Sequence, residues 1–213
     1  SLLTERGLLT TNVINSIQGE LLENNAGIRN LPGTALKNSI NGEIIYTPPS
    51  GKEVIQGKLK NLEDYIHSDG MDPLIKLAVI HYQFEAIHPY YDGNGRTGRI
   101  LNVLYLVQQG LLELPILYMS HFIIKNKENY YKLLRKVTFQ QDFEPWILYM
   151  LACVEESAKE TISKIQAIQS LMKEVAEKIK LELPKIYSKE LVEILFQQPY
   201  CKVKFLENGI VKR

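Results

Sequence analysis

Between residues 10 and 24 the apolar positions are Val13, Ile14, Ile17, Leu21 and Leu22. Their steps of three and four mark one face of a helix, with Thr11 or Asn12 placed to cap its start and Asn24-Asn25-Ala26-Gly27 to stop it. Residues 54–67 repeat the pattern through Val54, Ile55, Leu59, Leu62, Tyr65 and Ile66. Between these helices the period changes: residues 37–40 and 43–46 flank Asn41-Gly42, a strong hairpin signal, and Thr47-Pro48-Pro49 closes the second strand because proline cannot donate to a ladder. Residues 74–87 are apolar nearly all round, which reads as a buried helix with Pro73 at its start. Apolar runs follow at 100–112 and 146–154, and residues 125–137 between them contain Asn129-Tyr130-Tyr131 before Leu133-Leu134. Residues 154–183 then form a long amphipathic helix, with Ala158, Ile162, Ile165, Ile168, Leu171, Val175 and Ile179 on one side and charges on the other. It serves either as a connection or as a pairing surface. Pro184 ends it. The expected fold class is all-α with one β-hairpin.

Composition narrows the partners more than the fold. A length of 213 residues with 45% hydrophobic content supports a proper core, and a formal net charge of +1 gives no global attraction for nucleic acid or an acidic partner. The tail beyond Pro184 is mildly basic, too little to argue DNA binding. Cys153 and Cys201 stand apart without a CxxC, so neither a disulfide framework nor a zinc site is indicated, and a reducing cytoplasm is the default compartment. The start is too short and too charged for a signal peptide, and no apolar run reaches the length of a membrane helix. His67 and His121 look incidental, and His81, seven residues before His88, reads as a core histidine or one that supports the site from behind, ahead of a catalytic one.

Chemistry concentrates between two apolar runs, in His88-Pro89-Tyr90-Tyr91-Asp92-Gly93-Asn94-Gly95-Arg96-Thr97-Gly98-Arg99. Gly93 and Gly95 let the backbone approach a ligand closely. Backbone N–H groups at the start of the next helix favour an anion there, and Arg96 and Arg99 add fixed positive charge suited to phosphate. Asp92 beside an anion site calls for a cation between them, and Mg²⁺ carried by a polyphosphate is the natural one. His88 is the side chain of this stretch that can take up a proton near pH 7.

This stretch resembles the Fic family signature: His, any residue, Phe, any residue, Asp or Glu, Gly-Asn-Gly-Arg, two residues, Arg. Its one departure is Tyr90 at the Phe position. The resemblance implies a Fic-type helical bundle over residues 1–155, a connecting helix at 156–183 and a partial winged-helix-like segment at 184–213. It implies a protein adenylyltransferase that moves AMP from ATP to a Ser, Thr or Tyr hydroxyl and releases pyrophosphate. In such proteins His88 is the base and Asp92 holds Mg²⁺. Gly93, Asn94 and Gly95 cradle the phosphates, Asn94 at the α-phosphate, while Arg96 and Arg99 neutralise the outer ones. Asn102, Tyr130 and Tyr131 fall where a nucleoside would lie, although core roles for them stay open. The hairpin from Ile40 to Tyr46 corresponds to a flap that docks a target segment by β-augmentation. A homodimer is a further partner, nucleic acid is not expected from this chain, and no membrane is implied. Removal of AMP, transfer of another nucleotide or phosphate group, and a nucleotide-binding transcriptional regulator are the alternatives. The phosphate-moving Doc branch carries Lys where this chain has Gly95 and is disfavoured. One class of the family holds an inhibitory helix of Ser or Thr, three residues, Glu, then Gly or Asn. Ser16 and Glu20 fit that spacing, but Leu21 follows, so Glu20 reads as a solvated residue and the inhibitory helix is expected upstream of Ser1.

Overall fold

The structure, a computed structural model, describes residues 8–24, 26–37, 42–198, 200–202 and 204. Its elements in order are α1 (Thr11–Leu22), β1 (Leu36–Lys37), β2 (Ile44–Tyr46), α2 (Lys52–His67), α3 (Pro73–Ile87), α4 (Asn94–Gln108), α5 (Met119–Lys125), α6 (Lys127–Gln140), α7 (Glu144–Glu182) and α8 (Lys189–Phe196). The all-α class with one hairpin holds. By contact density the chain divides into two compact units, Ser1–Ala158 and Lys159–Arg213.

In the first unit α3 is the central rod. It packs on α2 and α4, and α1 lies against both α2 and α4. Leu59, Leu62 and Ile66 of α2, Leu77, Ile80 and Phe84 of α3, and Leu101 and Tyr105 of α4 meet in one core with Val13 and Ile14 of α1 and Trp146 and Met150 of α7. Local chemistry sets the ends. Thr10, one residue earlier than the sequence pattern suggested, caps α1 by accepting from the Val13 N–H at 3.3 Å. The Glu63 carboxylate on α2 receives the Thr11 N–H at 2.7 Å and so completes that helix start from outside. Asp72 caps α3 with Pro73 at its first position. Lys76 is buried and donates to the Ile66 and Ser68 carbonyls, closing the end of α2.

Among the described residues the hairpin is less regular than its sequence pattern. Leu36 pairs with Tyr46 and Lys37 with Ile44, an antiparallel register with a shift that leaves Ile45 as an extra residue. The turn, with Asn41, and Ile40 of the expected docking strand lie outside the described residues.

The segments read from sequence as a buried helix at 146–154 and a separate amphipathic helix at 154–183 are one helix, α7. Neither Gly nor Pro interrupts residues 146–183, so nothing breaks the hydrogen-bond ladder. In the second unit, residues 159–182 of α7 expose Ile162, Ile168 and Leu171. Ser188 caps α8 by accepting from the Leu191 N–H at 3.0 Å. Residues 205–213, which include the expected end of the winged-helix-like segment, lie outside the described residues. Among the described residues no helix is long and apolar enough to cross a membrane.

Candidate active site

α3 stops at Ile87, and His88 caps it in the left-handed region, φ 48° and ψ 60°. That conformation costs a non-glycine residue about 1–2 kcal/mol. It is held from three sides. The His88 N–H donates to the Phe84 carbonyl at 3.1 Å. Arg29 Nε donates to the His88 carbonyl at 2.7 Å, and Arg29 Nη2 to the Ile87 carbonyl at 3.3 Å. Burial and then the Arg29 charge push the imidazole down to about 4, while the Glu85 backbone carbonyl acts in the opposite direction. His88 is therefore neutral at pH 7, a base ready to accept a proton. Its Nδ1 is buried without a hydrogen-bond partner.

The loop then turns under its own side chains. Asn94 is buried and clamps it: Oδ1 accepts the Tyr90 N–H at 2.9 Å and Nδ2 donates to the Tyr90 carbonyl at 2.8 Å. Both ends of that amide are engaged, so its side chain acts as the clamp of the cradle. Tyr90, fully buried, gives its hydroxyl proton to Asn15 Oδ1 on α1 at 2.7 Å. The departure from Phe is thus satisfied by one hydrogen bond. Gly93 carries φ +81°, and a Cβ there would stand 3.2 Å from Leu22 Cδ1. Its N–H is taken by Asp92 Oδ1 at 2.6 Å.

No side chain caps α4. The N–H groups of Asn94, Gly95 and Arg96 at its first turn have no intrahelical acceptor, and the positive end of the helix dipole lies behind them. Arg96 is exposed, its Nη2 3.4 Å from Asp92 Oδ2. Arg99 lies on the next turn, where a Cβ on Gly95 would stand 3.2 Å from its Nη1. Both arginines face a cavity of about 500 Å³ walled by Leu21, Ile100, Pro115 and Tyr118. The Asp92 carboxylate is exposed. Among the described residues no cluster of three or more His, Cys, Asp or Glu could hold a metal. One open carboxylate beside an anion cradle suits a Mg²⁺ that arrives on a polyphosphate, not a resident ion.

The sequence-derived set thus separates. His88, Asp92, Gly93, Asn94, Gly95, Arg96 and Arg99 share one loop and the helical turns that follow it. Asn102 and Tyr130 lie beneath, in a buried row: Asn102 Nδ2 donates to His81 Nδ1 at 3.0 Å, and His81 Nε2 meets the Tyr130 hydroxyl at 2.9 Å. Trp146 stacks on His81 with ring centroids 5.9 Å apart. Burial first, then the Arg99 charge, hold His81 neutral, down to about 3. Tyr131 goes elsewhere, lining a small cavity of about 70 Å³ under the hairpin with Ile45, Tyr46, Glu85 and Arg135. Glu20 is exposed on α1.

Two residues escaped the sequence reading. Glu85 has a buried Oε1 without a hydrogen-bond partner, and burial pushes its carboxyl up to about 7 against the opposing pull of Arg99. A lone acid in an apolar helix, three residues before His88, was the available signal. Arg29 sits in an irregular stretch after α1, where no periodicity marks it.

Residues 8–106 match the Fic/DOC family, and residues 171–213 match the C-terminal domain of SoFic-like protein adenylyltransferases. Protein adenylyltransferase fic-1 of Caenorhabditis elegans is 28% identical over 124 residues, 57% of this chain and 23% of that protein. A probable protein adenylyltransferase of Aquifex aeolicus is 33% identical over 92 residues, 43% of this chain and 26% of that protein. The matched stretches span about a quarter of these relatives. Among solved structures, a Fic family protein from Desulfovibrio desulfuricans shares the fold with a TM-score of 0.62 at 19% identity, covering 93% of this chain and 55% of that one. Fic-1 of C. elegans, residues 134–508, matches with a TM-score of 0.57 at 25% identity, covering 78% of this chain and 47% of that one.

Proposed function

The chain belongs, through residues 8–106, to the Fic/DOC family, and from that premise we propose that it is a protein adenylyltransferase, moving AMP from ATP to a hydroxyl side chain of a target protein. The carrying observation is the pairing of an uncapped α4 N-terminus flanked by Arg96 with a neutral imidazole at His88 on the other side of the same short loop.

The chemistry follows from that pairing. The hydroxyl oxygen of the target attacks the α-phosphorus, and its proton passes to the His88 imidazole. The bond from that phosphorus to the bridging β-oxygen breaks, and pyrophosphate leaves. A positioned base of this kind contributes about 10²–10⁴-fold. The N–H groups of Asn94, Gly95 and Arg96 hold the phosphate oxygens, and Asn94 keeps the loop shape that aims them. Arg96 and Arg99 balance charge on the outer phosphates. Asp92 would hold Mg²⁺ beside the phosphates, and the ion when bound supplies charge compensation. The hairpin β1–β2 is the docking edge for an extended target segment. Tyr131, under that hairpin, stays the tyrosine with free surface for a ligand, while Asn102 and Tyr130 act as the frame beneath Arg99.

The test uses ATP labelled at the α-phosphate, the chain, and a cell extract as a source of targets. Protein-bound label that disappears with His88→Ala supports transfer. Label retained by His88→Ala, or no protein label with the wild-type chain, would overturn it.

A further inference from the structure

We propose that Arg29 is the positioning residue that joins the hairpin to the base, holding the bent backbone at His88 and the exit of the hairpin as one unit. This rests on the adenylyltransferase reading for its kinetic consequence, though not for its structural one.

The side chain is 1% exposed, and its hydrogen-bond acceptors among the described residues are backbone carbonyls. They come from two places. Nε donates to His88 and Nη2 to Ile87, at the end of α3. Nη2 also donates to the Pro49 carbonyl, three residues after β2 ends. The backbone N–H of Arg29 donates to the Pro89 carbonyl at 3.0 Å. One residue thus binds three consecutive carbonyls, 87, 88 and 89, across the left-handed kink. A guanidinium presents several donors in a rigid plane, which an ammonium does not.

Neighbouring contacts run the same way. The Tyr91 hydroxyl accepts the N–H groups of Asn30 and Leu31 at 3.1 and 3.2 Å, and donates to Asn30 Oδ1 at 2.9 Å. Tyr46 of β2 donates its hydroxyl proton to the Ala86 carbonyl at 2.8 Å. The segment before the hairpin and its second strand are therefore tied to the end of α3 and the turn that carries His88, with Arg29 at the buried centre. A target segment added to the hairpin edge would reach the base at a distance that Arg29 sets.

The same guanidinium places its positive charge beside the His88 imidazole. The groups that bear on this junction are Arg29, Tyr91 of the loop and Tyr46 of β2. Glu85 of α3 meets His88 through its backbone carbonyl, whereas a Cβ on Gly98 would stand 2.7 Å from its Oε1. Burial and Arg29 act in one direction on His88, toward the neutral form.

The test compares Arg29→Gln and Arg29→Lys with the wild-type chain. Histidine ring resonances are followed against pH, His88 being assigned by their loss in His88→Ala, and α-labelled ATP transfer is measured in parallel. In Arg29→Gln the His88 titration moves up toward 6.5, its ordinary value. Transfer kcat falls by about tenfold or more, with KM for ATP within about threefold, because what is lost is the geometry of the base. Arg29→Lys keeps the charge and so holds the titration low, but it regains only part of kcat. If Arg29→Gln does not fold, the low titration with reduced kcat in Arg29→Lys carries the test. Folded variants with His88 titration and kcat both unchanged would overturn the proposal, as would a rise in KM alone. A wild-type chain that transfers no AMP counts against the adenylyltransferase reading, while the His88 titration still decides the role of Arg29.

Discussion

Burial displaces the titration of two side chains beside the loop, the imidazole of His88 downward and the carboxyl of Glu85 upward. His88 is neutral because it is half-buried beside Arg29, and its titration lies at about 4 instead of 6.5. A histidine lowered in this way is a free base throughout the neutral range. Transfer is therefore expected to stay flat from about pH 8 to about pH 6 and to fall only below about pH 5. An acid limb centred near 6.5 in the initial rate would show that the imidazole is not in this environment. Glu85 goes the other way, raised from 4.5 to about 7 by burial. The folded chain keeps a proton there that the unfolded chain gives up, so this group's contribution to stability is fully present below pH 4.5 and is lost as pH rises to about 7. Glu85→Gln is expected to raise Tm over wild type at pH 8 and to lose most of that advantage at pH 4.5. Equal differences at both pH values would place the Glu85 carboxyl in water. The placement of His88, Asp92 and the two arginines on one loop and the helix after it was legible as residue types in a spacing. Arg29 was not, because its partners are carbonyls from residues far along the chain, and carbonyls carry no sequence signal.

At the scale of elements, the loop works because α3 and α4 approach closely at one point. A Cβ on Gly98 would stand 2.7 Å from Glu85 Oε1 and 3.0 Å from Phe84 Cδ1. Gly98→Ala must therefore displace a buried carboxyl and an aromatic edge together. It is expected to cost about 1–3 kcal/mol in urea unfolding; a change under about 0.5 kcal/mol would mean that the helices have slack there. The helices themselves were readable from their period, since α1 buries Val13, Ile14 and Ile17 and α2 buries Ile55, Leu59, Leu62 and Ile66, although Val54 of the same predicted face is exposed. The hairpin was readable as a pair of strands, but the shift between Leu36 and Lys37 was not, because a register shift follows from the pairing of two strands and leaves no mark in either alone. The join between residues 146–154 and 154–183 was missed for a related reason. The amphipathic pattern changes near Val154 with the surroundings of the helix, and the backbone continues through the change.

On the scale of the whole molecule, every residue placed at the candidate site falls in the first compact unit, Ser1–Ala158. That division predicts that a chain ending at Ala158 still folds and still transfers AMP, with kcat within about threefold of the longer chain. Loss of folding on truncation would mean that residues 159–182 of α7 support the core directly. Asn102 and Tyr130 are each an end of the buried row through His81. The claim on which the rest depends is that the α-phosphate is what moves. Parallel reactions with ATP labelled at the α-phosphate and ATP labelled at the γ-phosphate read this directly on protein. The account predicts α-label on protein, absent with His88→Ala, and no γ-label in either reaction. Transfer of γ-label, or α-label that persists without His88, would contradict it.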